Sequence, residues 1–174
     1  MLAVVIAFAV LIAVISVWAW NTHYSSAAKS RRTNATEATA ALREATLSRT
    51  FLADIPLDNT EVRTVAMDWN VGGGQLATLV SHLDGTTSLY MSSGAGFIGA
   101  GSHAPVQSAA LDLWRVVTHL HDSFRPVDTW PAPPAGSYVF YLVKRNETLS
   151  SIVFSGADLR KRDHPFHELA TSAQ

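Results

Sequence analysis

The first twenty residues contain the feature that most constrains the fold of this chain. Leu2 to Trp20 is a run of 19 residues without a charged residue, a glycine or a proline. At about 1.5 Å per residue, a helix of that length covers roughly 28 Å, close to the hydrocarbon thickness of a bilayer. Its apolar residues lie on every face, which suits lipid better than a half-exposed helix. The run therefore predicts a single transmembrane helix over residues 1–20.

Residues within and beside this run fit the same interpretation. Amphipathic aromatic residues prefer the headgroup level of a membrane, and three of them gather at one end of the run as interface anchors: Trp18, Trp20 and Tyr24. Small residues let helices approach closely, and three alanines are candidate contacts for a neighbouring membrane helix: Ala3, Ala7 and Ala13. A cleaved signal peptide and a buried core helix stay open as alternatives, although the run lacks a basic leading segment.

The charges that flank the run predict an orientation. Nothing basic precedes it except the terminal amine, whereas five cationic residues follow it: Lys29, Arg31, Arg32, Arg43 and Arg49. The positive-inside rule then places the C-terminal side in the cytoplasm. We therefore expect a single-pass protein of the cell inner membrane with a cytoplasmic C-terminal domain. Its expected partners are membrane lipid and other integral membrane subunits.

The next segment, residues 21–56, is predicted to be a juxtamembrane connector followed by a helix. Residues 21–34 are polar and small, whereas residues 35–53 are rich in Ala, Leu, Glu and Arg, which favour helix. The apolar stripe of this helix is weak and lacks bulky side chains. Such a stripe is typical of a helix that leans on a partner or on the following domain.

From residue 57 the pattern predicts a soluble α+β domain that extends to residue 174. Three period-two segments, "EVRTVAMDW", "QLATLVSHL" and "TTSLYM", indicate an antiparallel meander. A 3.6-period stripe then predicts a helix from Pro105 to Phe124, followed by a Pro-rich connection, two more strands and a short terminal helix. The predicted fold is one five-stranded, mostly antiparallel sheet in the order β-β-β-α-β-β-α, with one main packing helix.

A glycine-rich loop, "GAGFIGAGSH", follows the third strand. Gly94, Gly96 and Gly99 match the spacing G-x-G-x-x-G of dinucleotide-binding loops. The surrounding sequence does not match a dinucleotide-binding fold, because the preceding strand belongs to a meander and the helix does not begin at the third glycine. The sequence therefore argues against a nucleotide.

Two other interpretations of the loop stay open. The glycines allow left-handed or close-packed backbone conformations, with Phe97 and Ile98 in the core. Alternatively, the loop binds an anion through amides near a helix N-terminus, with Ser102 and His103 assisting the candidate site formed by Gly94, Gly96 and Gly99.

The segment "SLYMSSGAGFIGAGSH", with the amphipathic helix that follows it, resembles a pattern in small bacterial α+β proteins of no assigned function. The resemblance covers about residues 60–155. It implies the domain boundary and a structural role for the glycines, and it implies no activity, cofactor or site residue.

Composition excludes several kinds of chemistry. The chain has no cysteine, which excludes disulfides, thiolate nucleophiles and cysteine-bound metals, and its net charge of −1 argues against nucleic acid as a partner. His119 and His121 would point in different directions on a helix, and Pro165 distorts the turn that would join His164 to His167. The nucleophile-elbow pattern is absent. We therefore predict no catalytic residue, no cofactor and no metal.

The sequence thus predicts a non-enzymatic accessory subunit whose domain docks on a larger, energy-transducing membrane complex of the respiratory or photosynthetic kind. Trp130 and the Pro-rich segment around it are the candidate contact with that partner. The alternative is a membrane-anchored sensor or ligand-binding module that uses the Gly94–His103 loop for an anion.

Overall fold

Alternating side chains on long strands build the sheet at the centre of this protein. The computed structural model describes residues 27–50, 61–158 and 161. The helices are α1 (Ala27–Leu47) and α2 (Ala104–Leu120). The strands are β1 (Thr64–Gly72), β2 (Gln75–His82), β3 (Thr87–Met91), β4 (Gly96–Phe97), β5 (Arg125–Val127), β6 (Ser137–Val143), β7 (Thr148–Ser150) and β8 (Phe154–Ser155). Short 3-10 turns at Ala100–Ser102 and His121–Ser123 flank α2.

The eight strands form one antiparallel sheet in the order β4-β3-β2-β1-β6-β7-β5, with β8 beside β6. β1 lies at the centre, where Met67 is opposite Leu79 of β2 and Phe140 of β6. Because side chains alternate between faces, this register places the apolar residues of three strands on the same side. The chain reaches β6 only after crossing through α2, so the centre of the sheet joins segments that are distant in sequence.

One face of the sheet packs against α2. The buried residues of this core are Val65, Met67, Ala77, Leu79, Leu89, Leu113, Val117, Phe124, Phe140, Leu142, Leu149 and Phe154. α2 contributes Leu113 and Val117, one turn apart, and Trp114 beside them donates from Nε1 to Ser81 Oγ at 3.1 Å. The helical period of the α2 sequence therefore produces the packing that it predicts.

The opposite face is covered by α1 and the segment around Trp130. Its buried residues are Leu47, Ala66, Val80, Tyr90, Val139, Tyr141 and Val143. The C-terminal end of α1 is tied down, since Leu47 is fully buried and its carbonyl accepts a hydrogen bond from Thr148 Oγ1 at 2.8 Å. Helices thus lie on both faces of the sheet, whereas the sequence predicted one main packing helix.

The strand count also corrects the prediction of five strands. β4 forms because Gly96 lets the chain approach β3, where a β-carbon would lie 2.6 Å from the Leu89 carbonyl oxygen. β5 contains Pro126, which an edge strand tolerates because one of its N–H positions needs no partner. The predicted last strand is divided into β7 and β8, because Ile152 and Val153 leave the ladder and are exposed. The predicted terminal helix lies outside the described residues.

The predicted membrane-spanning helix, residues 1–20, lies outside the described residues. The candidate anchors and contacts on it lie there too: Trp18, Trp20, Tyr24, Ala3, Ala7 and Ala13. In the described ranges, neither helix is long and apolar enough to cross a bilayer. α1 has the length, at 21 residues, but it contains charged residues such as Arg43 and Glu44. The described residues therefore do not support the predictions of a transmembrane helix, a single-pass protein and an inner-membrane location with a cytoplasmic C-terminal domain.

Candidate functional site

A cavity of about 460 Å³ lies between α1 and the strands β2 and β3. Its walls come from one helix and two adjacent strands. The lining residues are Thr36, Thr39, Ala40, Ala41, Arg43, Glu44, Leu76, Thr78, Tyr90, Met91 and Ser92. We refer to this space as the α1 cavity.

Small side chains on α1 explain why the cavity exists. The helix presents Thr36, Thr39 and Ala40 to the space, and the sheet below presents Thr78 opposite Tyr90. On the other face, the larger side chains of α2 fill the equivalent layer. The space is half open to solvent, and Ala40, Ala41 and Glu44 on its helix side are exposed. A recess of this kind between a helix and a sheet is open to a small ligand.

A buried ion pair lies beside the cavity, and one of its members, Arg43, lines the space. Arg43 of α1 donates to Asp68 Oδ2 from Nε at 2.9 Å and from Nη2 at 2.5 Å. Asp68 lies in the middle of β1 with its side chain fully buried. Its other oxygen accepts from Thr78 Oγ1 at 2.5 Å, which the strand register places directly opposite. Arg43 Nη2 also donates to the Trp130 carbonyl at 2.6 Å. One guanidinium thus joins α1, the sheet and the Pro-rich segment.

The pKa values around this pair follow from burial and charge. Burial alone lowers the pKa of Arg43, but the hydrogen bond and attraction to Asp68 outweigh it and raise that pKa above its ordinary value. Burial, with the negative charge of Asp68, raises the pKa of Tyr141 to about 12. Arg43 is therefore a cation and Tyr141 a neutral phenol at any physiological pH.

The rim of the cavity carries a second link between α1 and the Pro-rich segment. Trp130 Nε1 donates to Glu44 Oε2 at 2.8 Å, and the Trp130 side chain packs half-buried on the α1 face of the sheet. The sequence selected Trp130 as a contact with a larger complex, and the structure places it against its own domain. Docking on such a complex stays a prediction.

The glycine loop passes one end of the cavity. A β-carbon on Gly94 would lie 2.8 Å from Cβ of Ala35 and 2.9 Å from the Thr36 nitrogen, so this glycine allows α1 to approach the loop. Gly99 has φ +76° with open space around it. Phe97 and Ile98 were expected in the core, but they are 41% and 75% exposed.

The predicted anion site at this loop has several of its groups already hydrogen-bonded. Ser102 is exposed, and its Oγ donates to the Gly99 carbonyl at 3.2 Å. The backbone amide of His103 donates to the Ala100 carbonyl at 3.1 Å, and that of Gly99 to Ser88 Oγ at 3.5 Å. An anion at Gly94, Gly96, Gly99, Ser102 and His103 stays a prediction, and none of these residues lines the α1 cavity.

Sequence reasoning missed the residues that line the cavity. The period-two pattern of β1 places Asp68 on the face opposite Val65 and Met67, but nothing in the sequence marks it as buried. Arg43 was interpreted only as a topology signal. The one available clue was a lone arginine among small residues on the helix before the sheet. Within the described ranges, no group of three or more histidine, aspartate or glutamate side chains could hold a metal ion.

Comparison with known proteins adds no assignment to this geometry. No family model, no curated protein sequence and no solved structure matches the chain.

Proposed function

We propose that this protein is a non-enzymatic binding module that holds a small molecule in the α1 cavity. The observation that supports the proposal is the cavity itself. Its volume of about 460 Å³ falls within the roughly 300–1,000 Å³ of known ligand pockets. Its lining combines apolar and aromatic side chains, such as Leu76 and Tyr90, with six polar or charged ones that could fix the orientation of a ligand.

The polar groups of the cavity support binding rather than chemistry. Thr78 donates to Asp68, which also holds Arg43, and Thr39 Oγ1 donates to the Thr36 carbonyl at 3.0 Å. Each of these groups is fixed by a partner within the protein. Catalysis by a nucleophile requires a base within hydrogen-bond reach that can take its proton, whereas here the buried carboxylate is neutralised by a guanidinium.

A fluorescent titration tests the proposal. N-phenyl-1-naphthylamine is an uncharged, apolar probe whose emission rises in a dry site. We expect it to bind the full-length chain, and we expect Ala40→Leu to weaken binding by about tenfold or more because the new side chain occupies the cavity. Ala38→Leu is the matched control, since Ala38 is exposed on the same helix and does not line the cavity.

The two variants separate the possible outcomes. Loss of binding in Ala40→Leu alone, with unchanged thermal unfolding, supports a ligand in the α1 cavity. Equal binding by both variants, or no binding by the parent chain, contradicts the proposal.

A further inference from the structure

Two threonine hydroxyls of the α1 cavity have already donated their protons and keep acceptor capacity. Thr39 Oγ1 directs its proton to the Thr36 carbonyl, and Thr78 Oγ1 directs its proton to Asp68 Oδ1. A hydroxyl has one proton and two lone pairs, so each oxygen can still accept a hydrogen bond but cannot donate a second. These groups would therefore recognise a donor on a ligand.

The charged groups of the cavity wall also favour a ligand that donates hydrogen bonds. The positive charge of Arg43 is matched by Asp68, and its Nε and Nη2 donors are directed to Asp68 and to the Trp130 carbonyl. Glu44 lines the same space, and Trp130 Nε1 donates to one of its oxygens, Oε2. Because the indole N–H of Trp130 is uncharged, it does not neutralise the carboxylate of Glu44. Among the described residues Glu44 forms no ion pair, so its exposed carboxylate is available to a ligand at the edge of the cavity.

The cavity is also lined by an aromatic ring. Tyr90 lies on the floor of the cavity, 8% exposed, opposite Thr78 in the β2–β3 pair. Organic cations are attracted to the faces of aromatic rings, and the attraction grows where water is excluded. Leu76 and Ala40 supply apolar surface on either side.

From these groups we infer that the α1 cavity takes a small organic cation, a protonated amine carried on an apolar body. The ammonium group donates to Glu44 and to the hydroxyl oxygens, and the apolar body lies between the helix and the floor. A carboxylate of the same size would instead meet the negative charge of Glu44. The inference rests on the proposed binding function and adds the charge of the ligand to it.

Three ligands that share one body test the inference on the full-length chain. They are 2-phenylethylammonium, 2-phenylethanol and 3-phenylpropionate, titrated by calorimetry at pH 7. We expect the ammonium to bind about tenfold more tightly than the alcohol, because its hydrogen bonds are charge-assisted, and the carboxylate to bind least.

Glu44→Gln tests the source of that preference. The glutamine keeps an oxygen for Trp130 Nε1 but loses the charge, so the preference for the ammonium over the alcohol should fall to about onefold to threefold. Glu37→Gln is the matched control, because Glu37 is exposed on the same helix and does not line the cavity. It should keep the full preference.

The outcomes distinguish this inference from the function on which it rests. Equal binding of ammonium and alcohol, tighter binding of the carboxylate, or an undiminished preference in Glu44→Gln overturns the cation inference while the cavity remains a binding site. If the parent chain does not bind the naphthylamine probe, the binding function itself fails.

Discussion

At the scale of single residues, the most consequential feature is the carboxylate buried in the central strand. Asp68 has no exposed side-chain surface, and its charge is matched by Arg43, which is 16% exposed. Desolvation of such a pair consumes much of its mutual attraction, so the pair adds little net stability. Removal of one partner is different, because it leaves an uncompensated charge in a medium that solvates it poorly. The pair therefore specifies where α1 lies more than it holds the domain together.

Removal of one member of this pair should lower the stability more than replacement of both members. We expect Arg43→Met to lower the free energy of unfolding by about 3–5 kcal/mol, because Asp68 is left buried and unpaired. The double variant Arg43→Met/Asp68→Leu should recover most of the loss. Arg115→Met is the control, since Arg115 pairs with Asp112 at the surface, where a salt bridge contributes about 0–1 kcal/mol. Urea denaturation measures the free energy of unfolding of all three variants. A double variant whose loss equals the sum of the losses of its single substitutions would contradict the argument.

His82 gives the protein a pH dependence at the residue scale. Burial lowers the pKa of His82, an effect that the nearby Asp84 charge only partly offsets. Protonation therefore favours the unfolded chain, in which the pKa is ordinary. Stability should be complete above about pH 6.5 and fall as the pH decreases below it. Urea midpoints between pH 8 and pH 5 measure this, and His82→Gln should flatten the profile. A profile that keeps its full slope in this variant would assign the effect to another group.

At the scale of elements, α1 is tied to the domain at two points and loosely packed between them. Gly94 admits the middle of the helix at Ala35 and Thr36, and Leu47 is buried at its C-terminal end. Among the described side chains of α1, only Thr46 and Leu47 are buried. The close approach at Gly94 and the ion pair of Arg43 position the helix over a cavity that its own side chains do not fill.

Two glycine substitutions should separate close approach from backbone conformation. Gly99→Ala should cost about 1–2 kcal/mol, the strain of a left-handed alanine, because the space around it is open. Gly94→Ala has the same kind of strain at φ +90°, and its methyl group also overlaps Ala35 and the backbone of Thr36. We expect a loss of about 2–5 kcal/mol there. Thermal unfolding compares them, and equal losses would show that α1 can move away at no cost.

At the scale of the whole molecule, the sheet is protected at its centre and short at its edges. The edge strands β4 and β5 have two and three residues, and β5 contains Pro126. Short edges and edge prolines limit pairing with a second chain. In contrast, the first five residues of β1 and the last five of β6 are all buried. Stability should therefore decrease outward from the β1–β6 pair towards α1.

Hydrogen exchange can map that gradient. We expect amides of β1 and β6 to exchange only by global unfolding, and those of α1 to exchange through a local opening of lower free energy, because so few of its side chains are buried. Arg43→Met should accelerate exchange in α1 more than global destabilisation requires. Mass spectrometry of peptides from both regions measures this, and uniform protection across α1 and β1 would contradict the gradient.

The local elements of the fold could be predicted because their causes are local. The period-two pattern of β1, β2 and β3, the stripe of α2 and the turn at Asp84–Gly85 each depend on residues within one segment. Gly85 has φ +86°, as a turn glycine requires. The α1 helix was also expected, but it is attached to the sheet by the ion pair of Arg43 and the buried side chains of Thr46 and Leu47 rather than by an apolar stripe.

By itself, then, the sequence determined which segments alternate, which coil into helix and where glycines turn the chain, since side-chain period and backbone freedom are properties of each segment. Only the tertiary structure decided that β1 pairs with β6, that Asp68 is buried and that a cavity lies under α1. Arg43 and Asp68 are 25 residues apart in the chain, and Arg43 and Trp130 are 87 residues apart. Burial and cavities depend on what distant segments bring together, and no periodicity within one segment records that.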